Sequence, residues 1–102
     1  MAEYILQILR SQLMIMWSWG FNSPTRLSDD RGLAFKVQGF KYKGWVEVIY
    51  EEGTDTFTVI LKKTAKKVED VYFDELVHVI DSLVERTEDY EERVYKEYGF
   101  TA

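Results

Sequence analysis

His78 is the only histidine of the chain and lies in the segment Asp74-Glu75-Leu76-Val77-His78, which makes it the first candidate for metal chemistry. A Glu-x-x-His pair on a helix supplies half of a carboxylate-bridged two-metal site, and that site needs the motif twice. A single histidine therefore excludes the complete motif. A mononuclear site using Asp74, His78 and a ligand from elsewhere remains an alternative. The simpler interpretation is a solvated helix face, because these residues lie opposite the apolar stripe of the predicted helix.

Side chains for covalent catalysis and phosphate binding do not occur in their usual patterns. The chain has no cysteine, and none of its serines lies in a Gly-x-Ser-x-Gly turn. Gly39 and Gly44 flank a predicted β-turn, whereas phosphate-binding glycine loops open a helix. The carboxylates of the C-terminal third are predicted to be exposed, so burial cannot raise the pKa of one member of a pair. We predict that the protein is not an enzyme and holds no metal or cofactor.

Basic and aromatic residues alternate between residues 36 and 45, a composition that suits nucleic acid. Lysines contact phosphates while aromatic rings stack on bases. Four further lysines follow at 62–67, so the candidate nucleic-acid surface comprises Lys36, Lys41, Tyr42, Lys43, Trp45, Lys62, Lys63, Lys66 and Lys67. Against this function, the net charge is −5 and the isoelectric point is about 4.9, whereas nucleic-acid-binding domains are usually basic. Lysines at strand ends also discourage aggregation, so nucleic-acid binding is the alternative function.

The elements that position these residues begin with an N-terminal helix. Ile5, Leu9 and Leu13 recur at a helical spacing, which predicts a helix over about residues 2–11. The apolar run 13–19 fits either a helix or a short buried strand, since its aromatic and β-branched residues favour sheets. Residues 20–32 contain glycine, proline and aspartates and are predicted to form a long loop.

The middle of the chain predicts an antiparallel meander of three or four strands. Apolar residues alternate with polar ones over 33–38, 45–50 and 56–61, and Gly53 lies in a hairpin loop between the last two runs. The alternation predicts that Leu33, Phe35, Val37, Val46, Val48, Tyr50, Phe57, Val59 and Leu61 face the core. Trp45, Ile49 and Ile60 then lie on the opposite face, which is only half polar. We expect another helix or another chain to cover it.

From residue 68 onward the pattern turns helical. Apolar positions with a spacing of three and four comprise Phe73, Leu76, Ile80, Leu83, Thr87, Tyr90 and Val94. A single helix over 69–97 would be about 43 Å long, whereas a domain of this size has a radius of gyration of about 13 Å. Either the helix breaks near Thr87, where Glu88 and Asp89 follow a potential N-cap, or residues 88–102 project as a helical tail that packs on a partner.

Charge is segregated along the chain. Residues 35–68 carry seven Lys or Arg against four Asp or Glu, whereas residues 69–102 carry three against eleven. The acidic tail of one subunit can lie against the lysines of another in a two-fold dimer, or it can fold back on its own chain. The candidate interface comprises Trp45, Ile49, Ile60, Tyr90, Val94 and Tyr98.

Length and composition predict one α+β domain over residues 1–102. The long acidic helix is expected to pack on the sheet. The 46% apolar and 30% charged content is typical of a globular protein. Glu3 and Arg10 do not fit a signal peptide, and polar residues interrupt the apolar stretch 4–21, which argues against a membrane span. The lack of cysteine is compatible with a reducing compartment. We expect a cytoplasmic protein.

Three stretches occur in a distinctive order: Gly32-Leu-Ala-Phe35-Lys36, Asp55-Thr-Phe57-Thr-Val59, and Val68-Glu-Asp-Val71-Tyr72-Phe-Asp74-Glu-Leu76. Taken together, they resemble small uncharacterised α+β proteins carried on mobile elements of gut Bacteroidota. The resemblance covers roughly residues 13–87. It implies an accessory role and transfers no activity and no site residue. The chain continues beyond this family's long helix with residues 88–102. The leading hypothesis is a non-catalytic protein-interaction module that forms a homodimer or joins a larger assembly.

Overall fold

The computed structural model describes residues 1–85, which form helices on one side of an antiparallel sheet. The first elements are two helices, α1 (Ala2–Arg10) and α2 (Leu13–Ser18), and a strand, β1 (Asn22–Arg26). A 3-10 turn at Ser28–Asp30 then leads into the strands β2 (Gly32–Gln38), β3 (Lys43–Glu51), β4 (Thr56–Leu61) and β5 (Lys66–Val71). Helix α3 (Leu76–Val84) follows.

The sheet is a meander in which each strand pairs antiparallel with the next, in the order β1-β2-β3-β4-β5. This confirms the predicted α+β class and the N-terminal helix. The prediction of three or four strands is wrong, because the described sheet has five. The predicted apolar runs became β2, β3 and β4, whose register places Phe35 opposite Val46 and Val48 opposite Val59.

The two additional strands lie at the edges of the sheet. Strand β1 occupies part of the predicted loop 20–32, and β5 occupies the start of the predicted helix. Each is irregular: the β1–β2 register shifts between Asn22 and Thr25, and the β4–β5 register shifts between Phe57 and Val59. An edge strand pairs on one side and tolerates polar residues, proline and bulges. For that reason neither strand shows the apolar alternation that reveals a central one.

The core lies between the sheet and the helices. As predicted, the face that carries Phe35, Val48 and Val59 is buried, and all three side chains are fully buried. Side chains from the three described helices, and Trp19 just after α2, pack in the same cluster, which includes Ile5, Leu9, Met16, Trp19, Leu76, Ile80 and Val84. We call this side the inner face and the opposite side, which carries Trp45, Glu47, Ile49, Thr58 and Ile60, the outer face.

Residues 13–19, for which the sequence left two alternatives, contain helix α2. Met16 and Trp19 are buried in the core, while Leu13, Met14 and Trp17 are exposed. The indole Nε1 of Trp19 donates to Asp81 Oδ1 of α3 over 2.9 Å. The large buried side chain of Trp19 therefore ties α2 to α3 through a polar contact as well as by packing.

The predicted long helix is only partly described. Its expected start at residue 69 is wrong, because Lys66–Val71 pair with β4 and α3 begins at Leu76. Leu76, Ile80 and Leu83 are buried as the spacing predicted, whereas Phe73 precedes the helix and is 60% exposed. Helix α3 ends at Val84. Thr87, Tyr90, Val94 and the projecting tail predicted over 88–102 lie outside the described residues.

Candidate functional site

The outer face brings together the three candidate interface residues that the structure describes. Trp45 and Ile49 lie on β3 and Ile60 lies on β4, where Ile60 is opposite Glu47 and Ile49 is opposite Thr58. Strand alternation points all five side chains to the same side of the sheet. Trp45 is 38% exposed, and both isoleucines are half-buried. The candidates Tyr90, Val94 and Tyr98 lie outside the described residues.

Small and hydroxyl-bearing residues surround these apolar side chains. Ala34 is opposite Glu47 and is buried, and Thr58 is buried beside Ile49. The Thr58 hydroxyl donates to Glu51 Oε1 over 3.1 Å, which satisfies its hydrogen-bonding need. Within residues 1–85, the helices contribute their buried residues to the inner-face cluster, and none covers this face. The outer face therefore presents a tryptophan and two isoleucines on a layer of small, satisfied side chains.

Three lysines lie beside these apolar side chains. Lys36 is opposite Trp45, and its Nζ lies 5.7 Å from the indole ring centroid, a cation–π arrangement. Lys62 follows β4, and its backbone N–H donates to the Trp45 carbonyl over 3.1 Å. Lys67 is opposite Ile60 on β5. Three of the predicted lysines thus share a surface with the predicted interface.

Carboxylates accompany two of these lysines. Lys62 Nζ lies 3.8 Å from Glu47 Oε1, and the Glu47 side chain is 19% exposed. Lys67 Nζ lies 3.0 Å from Glu69 Oε1. These pairs reduce the positive potential that a phosphate backbone would meet on this face. Such ion pairs are compatible with a surface that binds another protein.

The other residues of the predicted nucleic-acid surface are dispersed. Tyr42 is 5% exposed; its hydroxyl donates to the Trp45 carbonyl over 2.7 Å and accepts from the Lys63 N–H over 2.9 Å, so it is a structural residue and does not stack on bases. Lys41 Nζ donates to the Ser82 carbonyl of α3 over 3.1 Å. Lys63 lies in the β4–β5 turn, and Lys66 is opposite Leu61 of the inner face. Lys43 lies opposite Gln38, next to the β2–β3 hairpin.

The candidate metal residues lie on the helical side of the molecule. Asp74 and His78 line a groove of about 460 Å³ between α1 and α3, together with Tyr4, Ile8 and Phe73. Over residues 1–85, no three His, Cys, Asp or Glu side chains are grouped closely enough to hold a metal ion. A mononuclear site at His78 would need ligands from outside the described part of the chain.

Two pKa shifts arise from hydrogen bonds near chain turns. The amino group of Met1 donates to the Asp30 carboxylate, and with the Ala2 N–H this holds the pKa of Asp30 below its usual 3.8. The Tyr50 hydroxyl donates to the Asp55 carboxylate, and this bond raises the pKa of Tyr50 above 10.0. Neither residue belongs to the outer face, so these two pKa shifts concern the stability of the fold and not the candidate site.

No family model, curated protein or solved structure matches this chain. None of the helices within residues 1–85 is long and apolar enough to cross a membrane. Strand alternation had already placed Trp45, Glu47 and Ile49 on one face. The sequence analysis did not predict the register that places Lys36 opposite Trp45, because strand pairing across the 39–42 hairpin cannot be derived from composition.

Proposed function

We propose that this chain is a non-catalytic accessory module that binds protein, and that it self-associates through the outer face. The observation that carries the proposal is Trp45, a 38% exposed tryptophan that shares with the half-buried Ile49 and Ile60 a face that no described helix covers. Tryptophan is enriched among the residues that dominate binding energy at interfaces. A cytoplasmic location belongs to the proposal, and the absence of cysteine is compatible with it.

The size of the outer face predicts weak association. Five strands spaced about 4.8 Å apart and about six residues of about 3.3 Å each give a face of roughly 20 by 20 Å. This flat area of about 400 Å² is small for a stable interface, which buries roughly 800 Å² of accessible surface per partner. We therefore expect a dissociation constant in the micromolar range or weaker, as in transient complexes.

Sedimentation velocity over a concentration series up to about 1 mM tests self-association. The wild-type mass should rise with concentration, and Trp45→Ala should raise the dissociation constant by at least about tenfold because the aromatic side chain of this face is lost. Trp17→Ala is the matched control, since Trp17 is also an exposed tryptophan but lies on α2 in the helical layer. A mass that stays monomeric throughout, or equal effects of the two substitutions, would contradict the proposal.

Nucleic-acid binding is the alternative function for the same face. The observation in its favour is that Lys36, Lys62 and Lys67 border Trp45 and Ile60, with Lys36 Nζ 5.7 Å from the Trp45 ring centroid. Fluorescence anisotropy with a labelled single-stranded and a labelled double-stranded oligonucleotide at low salt tests it. Binding that Lys36→Gln weakens and salt abolishes would support the alternative. No anisotropy change with either oligonucleotide would exclude it.

A further inference from the structure

The described chain ends beside the hairpin that connects β2 to β3. The Val84 carbonyl accepts from the backbone N–H groups of Lys41 and Tyr42 over 2.8 and 3.2 Å. Glu85 Oε2 accepts from the Phe40 N–H over 3.2 Å. These bonds fix the end of α3 to residues 40–42. The next residue of the chain therefore starts next to the strands that carry Lys36 and Trp45.

Residues 86–102, here called the C-terminal segment, are long enough to cross the outer face from that point. Seventeen residues span about 25 Å as a helix and up to about 60 Å when extended. Along β3, Trp45 and Ile49 are separated by about 13 Å, at about 3.3 Å per residue. Because α3 ends at Val84 and Glu85 lies in a turn, the chain can change direction at the hairpin and does not have to continue along the helix axis.

The chemistry of the C-terminal segment complements that of the outer face. Tyr90, Val94 and Tyr98 are spaced by four residues, a spacing that places them on one side of a helix. Around them are five acidic residues, Glu88, Asp89, Glu91, Glu92 and Glu97, and three basic ones, Arg86, Arg93 and Lys96, so the segment has a net charge of −2. The outer face carries Trp45, Ile49 and Ile60 around Glu47, with Lys36, Lys62 and Lys67 beside them. Lys62 and Lys67 also pair with Glu47 and Glu69, so the complementarity is mainly apolar, with a smaller contribution from charge.

We propose that the C-terminal segment binds the outer face of its own chain and competes there with a second copy. This inference rests on the proposed function, since it regulates the same surface. A segment tethered at residue 85 has an effective concentration on the order of millimolar. At micromolar protein it is favoured over the equivalent segment of another molecule by about a thousandfold. The outer face then becomes available to a partner when the segment is displaced.

Disulfide trapping in the full-length chain tests this placement, because the protein has no cysteine of its own. The variant Ile60→Cys/Val94→Cys is oxidised at about 10 µM, where collisions between chains are rare relative to tethered contacts. We expect a disulfide within one chain, identified by a monomeric mass on a non-reducing gel and by peptide mapping. The control is Gln7→Cys/Val94→Cys, since Gln7 is exposed on α1 in the helical layer. Its yield should be at least about fivefold lower.

Three results would overturn the inference: equal yields from the two pairs, no disulfide in either, or a disulfide between chains at dimer mass. A second full-length variant, Tyr90→Ser/Val94→Ser, should self-associate at least about fivefold more tightly than the wild type, because binding of the competing segment to the outer face is weakened. Unchanged self-association also counts against the inference. Self-association that depends on Trp45 without the intrachain disulfide leaves the proposed function standing. The disulfide without self-association in any variant has the opposite meaning: the segment binds, but the face is not a self-association surface.

Discussion

At the scale of single residues, Asp30 connects the loop before β2 to the start of α1. Its carboxylate accepts from the Met1 amino group and, over 3.2 Å, from the Ala2 N–H, and Arg26 Nε lies 3.4 Å away. These donors lower the pKa of Asp30 in the folded state. The folded chain therefore holds this carboxylate ionised at a pH where the unfolded chain protonates it. The stability it contributes is present above pH 3.8 and is lost as the pH falls through the folded value.

We predict that Asp30→Asn lowers the urea midpoint at neutral pH, and that the difference from wild type disappears as the pH falls through the folded pKa of Asp30. Urea titrations at several pH values between about 2 and 7 measure this difference. Asp29→Asn is the control, because Asp29 forms no ion pair among residues 1–85. A difference between wild type and Asp30→Asn that does not change with pH would contradict the prediction.

The bond between Trp19 and Asp81 gives a second prediction at this scale. Trp19 is fully buried and its Nε1 donates to Asp81 over 2.9 Å, so Asp81→Ala removes the acceptor of a buried N–H group. We expect a loss of about 1–3 kcal/mol in the free energy of unfolding, measured by urea denaturation. Asp81→Asn keeps a side-chain oxygen as acceptor and should cost much less. Equal losses in the two variants would mean that the charge matters and the hydrogen bond does not.

At the scale of elements, Gly39 allows the β2–β3 hairpin to approach the end of α3. A Cβ at this position would overlap the Val84 carbonyl oxygen and would lie 2.5 Å from Val84 Cγ1 and 2.8 Å from Glu85 Oε2. Gly39→Ala should therefore lower the free energy of unfolding by about 1–3 kcal/mol, the usual cost of overpacking. Gly53→Ala is the matched control, since a Cβ there meets no atom within 4 Å and the change should stay within about 0.5 kcal/mol. Similar unfolding curves for both variants would show that the hairpin can move away.

The sequence predicts central strands better than edge strands in this fold. Residues such as Phe35 and Val48 alternate with polar ones because one side of a central strand must be apolar. Strand β1 contains Pro24, and β5 begins with Lys66 and Lys67, so both look like loop or helix when composition alone is considered. Their pairing depends on hydrogen bonds to β2 and β4 and on bulges, which leave no apolar period.

The residues of the candidate site also divide into those that strand alternation predicts and those whose position depends on strand pairing and turns. Trp45, Ile49 and Ile60 were placed on one face by strand alternation alone, because it needs no knowledge of the register. The location of Tyr42 was not predictable, since its burial depends on backbone partners at Trp45 and Lys63 that the turns bring together. The edge strand β5 likewise decides which of its lysines shares the outer face: Lys67 is opposite Ile60, and Lys66 is opposite Leu61.

At the scale of the whole molecule, the two faces of the sheet have different surroundings. The inner face is covered by α1, α2 and α3, while the outer face carries Trp45 and Ile60 among paired and unpaired charges. The chain has a net charge of −5, and each copy presents the same lysines on its outer face. Bringing two copies together therefore opposes like net charges, and on the outer face it brings two Lys36 side chains close, whereas Lys62 and Lys67 are paired with carboxylates. In the proposed self-association the attraction comes from apolar contact.

Salt should therefore act with opposite sign on the two candidate functions. Raising the salt from about 0.05 to about 0.5 M shortens the screening length from roughly 14 to about 4 Å. Repulsion between two outer faces is screened, as is attraction between the acidic C-terminal segment and the lysines, whereas burial of Trp45 is not. Self-association measured by sedimentation should hold or strengthen, by up to about tenfold. Oligonucleotide affinity would instead fall steeply, because each phosphate contact releases counterions. Self-association that weakens steeply with salt would show that charge pairing between copies holds the assembly together, and the role given to Trp45 would be wrong.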